Sequence, residues 1–187
     1  MGKTETFQKH IYCLEGNWNK NPRSNQSIKP ILELLNTTLG VKYIYRKCNT
    51  KDEFLECLRQ YTFKRYQNYT ILYLAFHGRI NRIRIDNEFI TLKEIADVVE
   101  GKLMGKIVHF GSCSTLGTTE SKIADFSTRT ECLFISGYRK TVGYIDSTAF
   151  DLLYLEVLQN YYSYTKIKSK ITKSFHTLAE TLCFVFV

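Results

Sequence analysis

The chain has 187 residues, 44% of them hydrophobic and 24% charged, enough for one domain with a sizeable core and short for two. With 26 basic and 18 acidic residues it carries a net charge of +8, but no recognised nucleic-acid-binding motif accompanies the charge, which weighs against nucleic acid as a partner. Only two prolines, Pro22 and Pro30, and no Gly/Ser-rich stretch argue against a long linker or extensive disorder.

Strands and helices alternate along the chain. QKHIYCL (8–14) reads as a first strand. Residues 27–40 place Ile28, Ile31, Leu32, Leu35 and Leu39 at helical spacing and end on Gly40, a stop signal. VKYIYRKC (41–48) is a second strand, and Thr50 or Asp52 caps a helix that turns Phe54, Leu55, Leu58 and Tyr61 inward. YTILYLAF (69–76) is almost continuously apolar, as a parallel strand buried on both faces should be. Residues 82–92 alternate around Asp86-Asn87-Glu88 and predict a hairpin. A helix over 92–105 leads to KIVHFGSCS (106–114), a buried strand that ends in a small-residue turn. A short helix (119–129), a strand (132–138), a long helix from Ser147 to Tyr161, a basic helix from Lys166 to Leu178 and a terminal strand (182–187) complete the chain. This order predicts a three-layer α/β/α sandwich, a single domain over 1–187 with a mainly parallel sheet of about six strands, and in such sheets function gathers at the carboxyl ends of the strands.

The six cysteines do not read as a disulfide framework: Cys13 and Cys132 lie in apolar runs, and there is no C-x-x-C pair to suggest zinc or thioredoxin chemistry. No metal or other cofactor is expected. MGKTETFQKH lacks the apolar stretch of a signal peptide, and no apolar run reaches membrane-span length, so a reduced, cytoplasmic protein is expected. The Met-Gly start followed by Lys3, Thr4, Glu5 and Thr6 fits only a loose myristoylation pattern that arises often by chance.

Two strands end on reactive residues. One runs into His77-Gly78, the other into Ser112-Cys113-Ser114, and a parallel sheet puts both ends on one edge. Neighbouring strands would set imidazole and thiol about 5 Å apart in strand spacing. A free thiol has a pKa near 8.5, so a nucleophilic cysteine needs an adjacent base, and His77 supplies one. The backbone N–H groups of Gly78 and Cys113 are candidates for an oxyanion hole. Taken singly, a histidine at a strand end and a cysteine in an apolar region are ordinary structural residues. His109, on the same face as Gly111 and Cys113, tunes the site or is a hydrogen-bonded core histidine. Trp18 walls the cleft or anchors its loop. Ser112, Ser114 and Thr115 shape the turn through local hydrogen bonds.

YLAFHG followed by HFGSCST resembles the His-Gly and Cys elements of the caspase-like cysteine peptidases, the group of caspases, metacaspases, gingipains and separase. The closer likeness is to bacterial CHAT-type domains, through SGYRKTVGYIDSTAF (136–150), and the whole chain is similar to small stand-alone bacterial proteins with a Gly-x-Trp-Asn element, here Gly16 to Asn19. The resemblance implies a caspase-like fold, Cys113 as nucleophile, His77 as base and a protein or peptide substrate. It also implies an effector of bacterial defence or cell death that is switched on by an activating partner or self-association. Metacaspases carry an Asp two residues before the cysteine, where this chain has Gly111. Glu15 and Asp146, with Asp125, are the substitute acids for a basic P1 side chain, although Asp146 also suits a helix cap. The competing reading is a silent caspase-like or flavodoxin-like binding module. Against it, a receiver-type acid cluster is missing and Glu15-Gly16-Asn17-Trp18 makes a poor phosphate loop.

Overall fold

The computed structural model describes residues 9–19, 21 and 23–187. The N-terminal pattern around Gly2, Gln8 of the first expected strand, and Pro22 lie outside the described residues.

In chain order the elements are β1 (Ile11–Glu15), α1 (Lys29–Leu39), β2 (Tyr43–Lys47), α2 (Lys51–Tyr61), β3 (Ile71–Ala75), β4 (His77–Arg79), β5 (Arg82–Ile85), β6 (Glu88–Thr91), α3 (Leu92–Val99), β7 (Ile107–Phe110), α4 (Glu120–Thr130), β8 (Phe134–Tyr138), α5 (Tyr144–Asn160), α6 (Tyr164–Thr181) and β9 (Phe184–Phe186). Local chemistry sets several helix boundaries. Pro30 sits in the first turn of α1, and Gly40 ends it at φ 70°, a left-handed stop that only glycine adopts without cost. Thr50 with Glu53, and Thr91 with Glu94, form reciprocal capping boxes at the starts of α2 and α3.

Two expected boundaries are corrected. The helix expected over 92–105 stops at Val99, because Gly101 and Gly105 take φ values of 65° and 73°. The helix expected from Ser147 begins at Tyr144, with Gly143 at the N-cap, so Asp146 lies inside the first turn and does not cap it.

Six strands form one sheet in the order β2-β1-β3-β7-β8-β9. Every neighbouring pair from β2 to β8 is parallel, and β9 adds to β8 antiparallel. Helices cover both faces. Alternate residues of the central strands feed two cores: Tyr12, Leu14, Leu72, Leu74, Val108 and Phe110 pack with α2, α3 and α4. On the other face Ile11, Cys13, Ile71, Tyr73 and Ala75 pack with α1, α5 and α6. The result is a three-layer α/β/α sandwich, and among the described residues no helix is long and apolar enough to cross a membrane. A second, three-stranded antiparallel sheet, β4-β5-β6, leaves the carboxyl end of β3 and lays Ile83, Ile85 and Ile90 on the first core.

One electrostatic tie joins the cap of α3 to α2. The Glu94 carboxylate pairs with Lys51 Nζ at 2.7 Å and accepts from the Thr91 N–H at 2.8 Å. Lys51 first, then the Thr91 N–H, hold its carboxyl at about 2, well below the usual range. A depressed carboxyl stabilises the fold above its unfolded pKa and loses that contribution as pH falls toward the folded value. Chemical denaturation of Glu94→Gln should therefore show a deficit against the parent protein at pH 6 that shrinks on going to pH 3.

Candidate active site

The first requirement of the Cys–His reading is that β3 and β7 be neighbours, and they are, parallel and in the register Ile71–Ile107 through Leu74–Phe110. The paired residues end at Leu74 and Phe110, and three residues beyond each the chain reaches His77, at the start of β4, and Cys113, in the turn after β7. By alternation both residues fall on the sheet face that bears Tyr73, Ala75 and Ile107, the face covered by α1 and α5. Cys113 is half-buried, and so is His77.

The histidine is held from the β1 side. His77 Nε2 lies 2.8 Å from the carbonyl oxygen of Trp18. A carbonyl only accepts, so Nε2 carries the proton and Nδ1 is left as the basic nitrogen. The Trp18 indole meets the His77 ring edge-on at 5.4 Å between centroids and meets Tyr144, at the start of α5, at 5.4 Å as well. Trp18 is itself clipped, its Nε1–H donating to the Glu15 carboxylate. Glu15 also accepts from Ser27 Oγ at 2.6 Å, from the Ile28 N–H at 2.7 Å and from the Tyr45 hydroxyl, and it is only 1% exposed. Burial, with the Glu15 hydrogen bond added, pushes the Tyr45 phenol up and keeps it a donor.

The cysteine sits on a constrained turn. Ser114 follows it at φ 56°, a left-handed conformation unusual for a residue with a side chain. The Ser112 hydroxyl bonds Thr115 Oγ1 at 2.7 Å, and the Ser114 N–H donates to the Lys140 carbonyl at 2.9 Å. Cys113 Sγ faces the backbone N–H and carbonyl of Val142, each at 3.5 Å, so the 139–143 loop flanks the thiol. Among the described residues the Cys113 N–H makes no backbone hydrogen bond. Gly78 presses against this turn: a Cβ there would lie 2.2 Å from the Cys113 carbonyl oxygen and 2.4 Å from Thr115 Oγ1. The close approach of β4 to the cysteine turn therefore needs glycine.

Below the turn lies a buried polar cluster that the sequence did not reveal. Asp151 of α5, 2% exposed, accepts from the hydroxyls of Tyr73 and Tyr138 and bonds His109 Nε2 at 2.9 Å. His109 Nδ1 reaches Ser136 Oγ at 2.9 Å, which makes His109 a fully satisfied core histidine. Burial first, and the Asp151 charge second, push both phenols well up and keep them protonated. A Cβ on Gly111 would meet the Tyr73 ring at 2.4 Å and Asp151 Oδ2 at 3.0 Å, so the space of a side chain at 111 is already taken by this cluster.

The structure thus brings together His77, Gly78, Cys113 and Trp18, and it separates the expected acids. Glu15 is corrected from a substrate-facing acid to a buried one, because all its acceptor capacity is spent on Trp18, Ser27, Ile28 and Tyr45. Asp146 stays exposed in the first turn of α5, close to the loop that touches Cys113. Asp125 of α4 lines a separate cavity of about 300 Å³ with Asn81 and Lys93. Among the described residues no group of His, Cys, Asp and Glu is arranged to hold a metal ion.

Fold and site define a three-layer α/β/α protein with a cysteine and a histidine at adjacent strand ends. Residues 8–186 match a family described as a family of unknown function (DUF6642), and the chain belongs to that family. No curated protein matches it.

Two substitutions test this construction. Gly78→Ala must shift backbone at the cysteine turn and should cost about 1–3 kcal/mol in denaturant unfolding. Asp151→Ala strips two phenols and an imidazole of their common acceptor and should cost about 3 kcal/mol, with Asp151→Asn milder.

Proposed function

We propose that the protein is a cysteine endopeptidase of caspase-like type, with Cys113 as nucleophile and His77 as general base and then general acid. The observation that supports the reading is the parallel pairing of β3 with β7, from whose carboxyl ends the chain runs on to His77 and to Cys113, with Gly78 packed against the Cys113 carbonyl. With Nε2–H bound to the Trp18 carbonyl, Nδ1 is the nitrogen free to take the thiol proton. The thiolate then adds to the scissile carbonyl carbon. The oxygen that becomes negative is received by the N–H groups of Cys113 and Gly78. His77 returns its proton to the departing amine, and water, deprotonated by the same nitrogen, hydrolyses the acyl-thioester and restores the thiol. In this reading Glu15 is a positioning residue: it holds Trp18, whose carbonyl holds the imidazole. The role in bacterial defence or cell death, with a separate activator or self-association as the switch, belongs to the same proposal and rests on the resemblance alone.

The state of the other thiols supports the choice of Cys113. Cys13, Cys48, Cys57 and Cys132 are buried, and burial pushes the thiols of Cys13, Cys48 and Cys132 up. Among the described residues, Cys113 and the exposed Cys183 are the cysteines open to solvent. Iodoacetamide at pH 7 should label Cys113 ahead of Cys183, read by peptide mass mapping, and His77→Ala should slow Cys113 to the rate of an ordinary thiol. Peptide cleavage should fall by about 10⁴-fold or more in Cys113→Ala. Full proteolysis by that variant, or equal labelling of the two thiols, would remove the proposal.

A further inference from the structure

The small antiparallel sheet does more than carry His77. Its register pairs His77 with Arg84 and Arg79 with Arg82, and on the next strand Arg84 with Phe89 and Arg82 with Thr91. Directly opposed residues of an antiparallel pair share a face, and alternate residues of a strand share it too. One face of β4-β5-β6 therefore bears His77, Arg79, Arg82, Arg84 and Phe89, while Ile83, Ile85 and Ile90 turn into the core. The contacts agree: the guanidinium groups of Arg79 and Arg82 lie 5.4 Å and 4.2 Å from the Phe89 ring centroid.

This face is electrostatically uncompensated. None of the ion pairs among the described residues involves Arg79, Arg82 or Arg84. The hairpin's own acids are elsewhere: Glu88 opposes Ile85 and so shares the face turned from the arginines, and Asp86 sits in the turn at φ 50°. Like charges directly opposite on neighbouring strands repel, so the Arg79–Arg82 pair opposes the pairing of β4 with β5, offset only in part by the packing of both guanidinium groups on Phe89. A local arrangement that opposes stability beside a candidate catalytic histidine points to a ligand that supplies the missing charge.

We propose that this face is the docking surface for acidic side chains of a peptide ligand and, if the peptidase reading on which this placement rests holds, for the residues that follow the scissile bond. The direction comes from the chemistry. The leaving amine must lie next to the imidazole that protonates it, so the substrate on the amine side of the cut passes over the strand that begins at His77. Arg84 stands opposite His77, and Arg79 and Arg82 stand two residues further along their strands, a step of about 7 Å and the repeat of alternate side chains in an extended peptide. Guanidinium groups donate paired hydrogen bonds to carboxylates, and Phe89 beneath Arg79 and Arg82 limits their motion.

The test is binding to the full-length Cys113→Ala protein, which needs no turnover. Two labelled peptides of equal length are compared by fluorescence anisotropy, one with Asp and Glu and one with Asn and Gln in its C-terminal half. The acidic peptide should bind at least about tenfold tighter, each of Arg82→Gln and Arg84→Gln should weaken it roughly tenfold, and added salt should weaken it further. Lys166→Gln with Lys170→Gln on α6 controls for net charge and should leave binding unchanged. Equal binding of the two peptides, indifference to the arginine substitutions, or the same loss from the α6 variant would overturn the proposal. Tighter binding of a single-stranded oligonucleotide than of the acidic peptide through these arginines would overturn it too. If the acidic peptide binds through the arginines and the parent protein cuts none of a library of such peptides, the peptidase reading falls and the acidic-ligand surface stands.

Discussion

Parallel pairing of β3 with β7 holds Leu74 beside Phe110, and the candidate site is built outward from that alignment. It needs no side-chain recognition at the site itself. Both strands are buried on both faces, so their register is fixed by two cores at once, the first through Leu72, Leu74, Val108 and Phe110 and the second through Ile71, Tyr73 and Ile107. Three residues beyond the last paired residues, Leu74 and Phe110, the chain reaches His77 and Cys113. The candidate residues thus lie on short segments that continue two strands buried on both faces.

Two buried carboxylates finish what the register begins. Glu15 binds the loop that supplies Trp18, and through the Trp18 carbonyl it sets the tautomer of His77. Asp151 ties α5 to β3, β7 and β8 through Tyr73, His109 and Tyr138, directly under the strand that carries Cys113. Each carboxylate is fully provided with donors, which is the condition under which a buried charge can be tolerated at all. One carboxylate thus anchors the loop that holds His77, and the other bridges the β3–β7 seam beneath the cysteine turn.

The strands that bear His77 and Cys113 were legible because a strand buried on both faces shows as an unbroken apolar run, and YLAFHG and HFGSC mark where each run ends. The cap of α2 was legible only as a choice between Thr50 and Asp52, which the reciprocal bonds of Thr50 and Glu53 decide for Thr50. Glu15 was misread because a single acid after a strand gives no sign of the four donors that fold against it from Trp18, Ser27, Ile28 and Tyr45. Asp151 was overlooked because its partners come from three distant strands, and α5 is apolar around most of its circumference, so no polar face announces an inward acid. The strand β4 was overlooked because three residues carry no period. That loss mattered, since only the β4–β5 pairing shows that the arginines share a face with His77.

The strict alternation of β3 and β7 between two cores also limits how such a chain can change in length. One residue gained or lost between Ile71 and His77, or between Ile107 and Cys113, would turn the side chain at the strand end to the opposite face of the sheet, toward α2 and α3. Insertions in the outer loops would leave the pair where it is. The spacing of the histidine and of the cysteine from the strands that carry them is thus as demanding a requirement as the identity of either residue, and relatives that share the site should differ in the loops and helices long before they differ in those two counts.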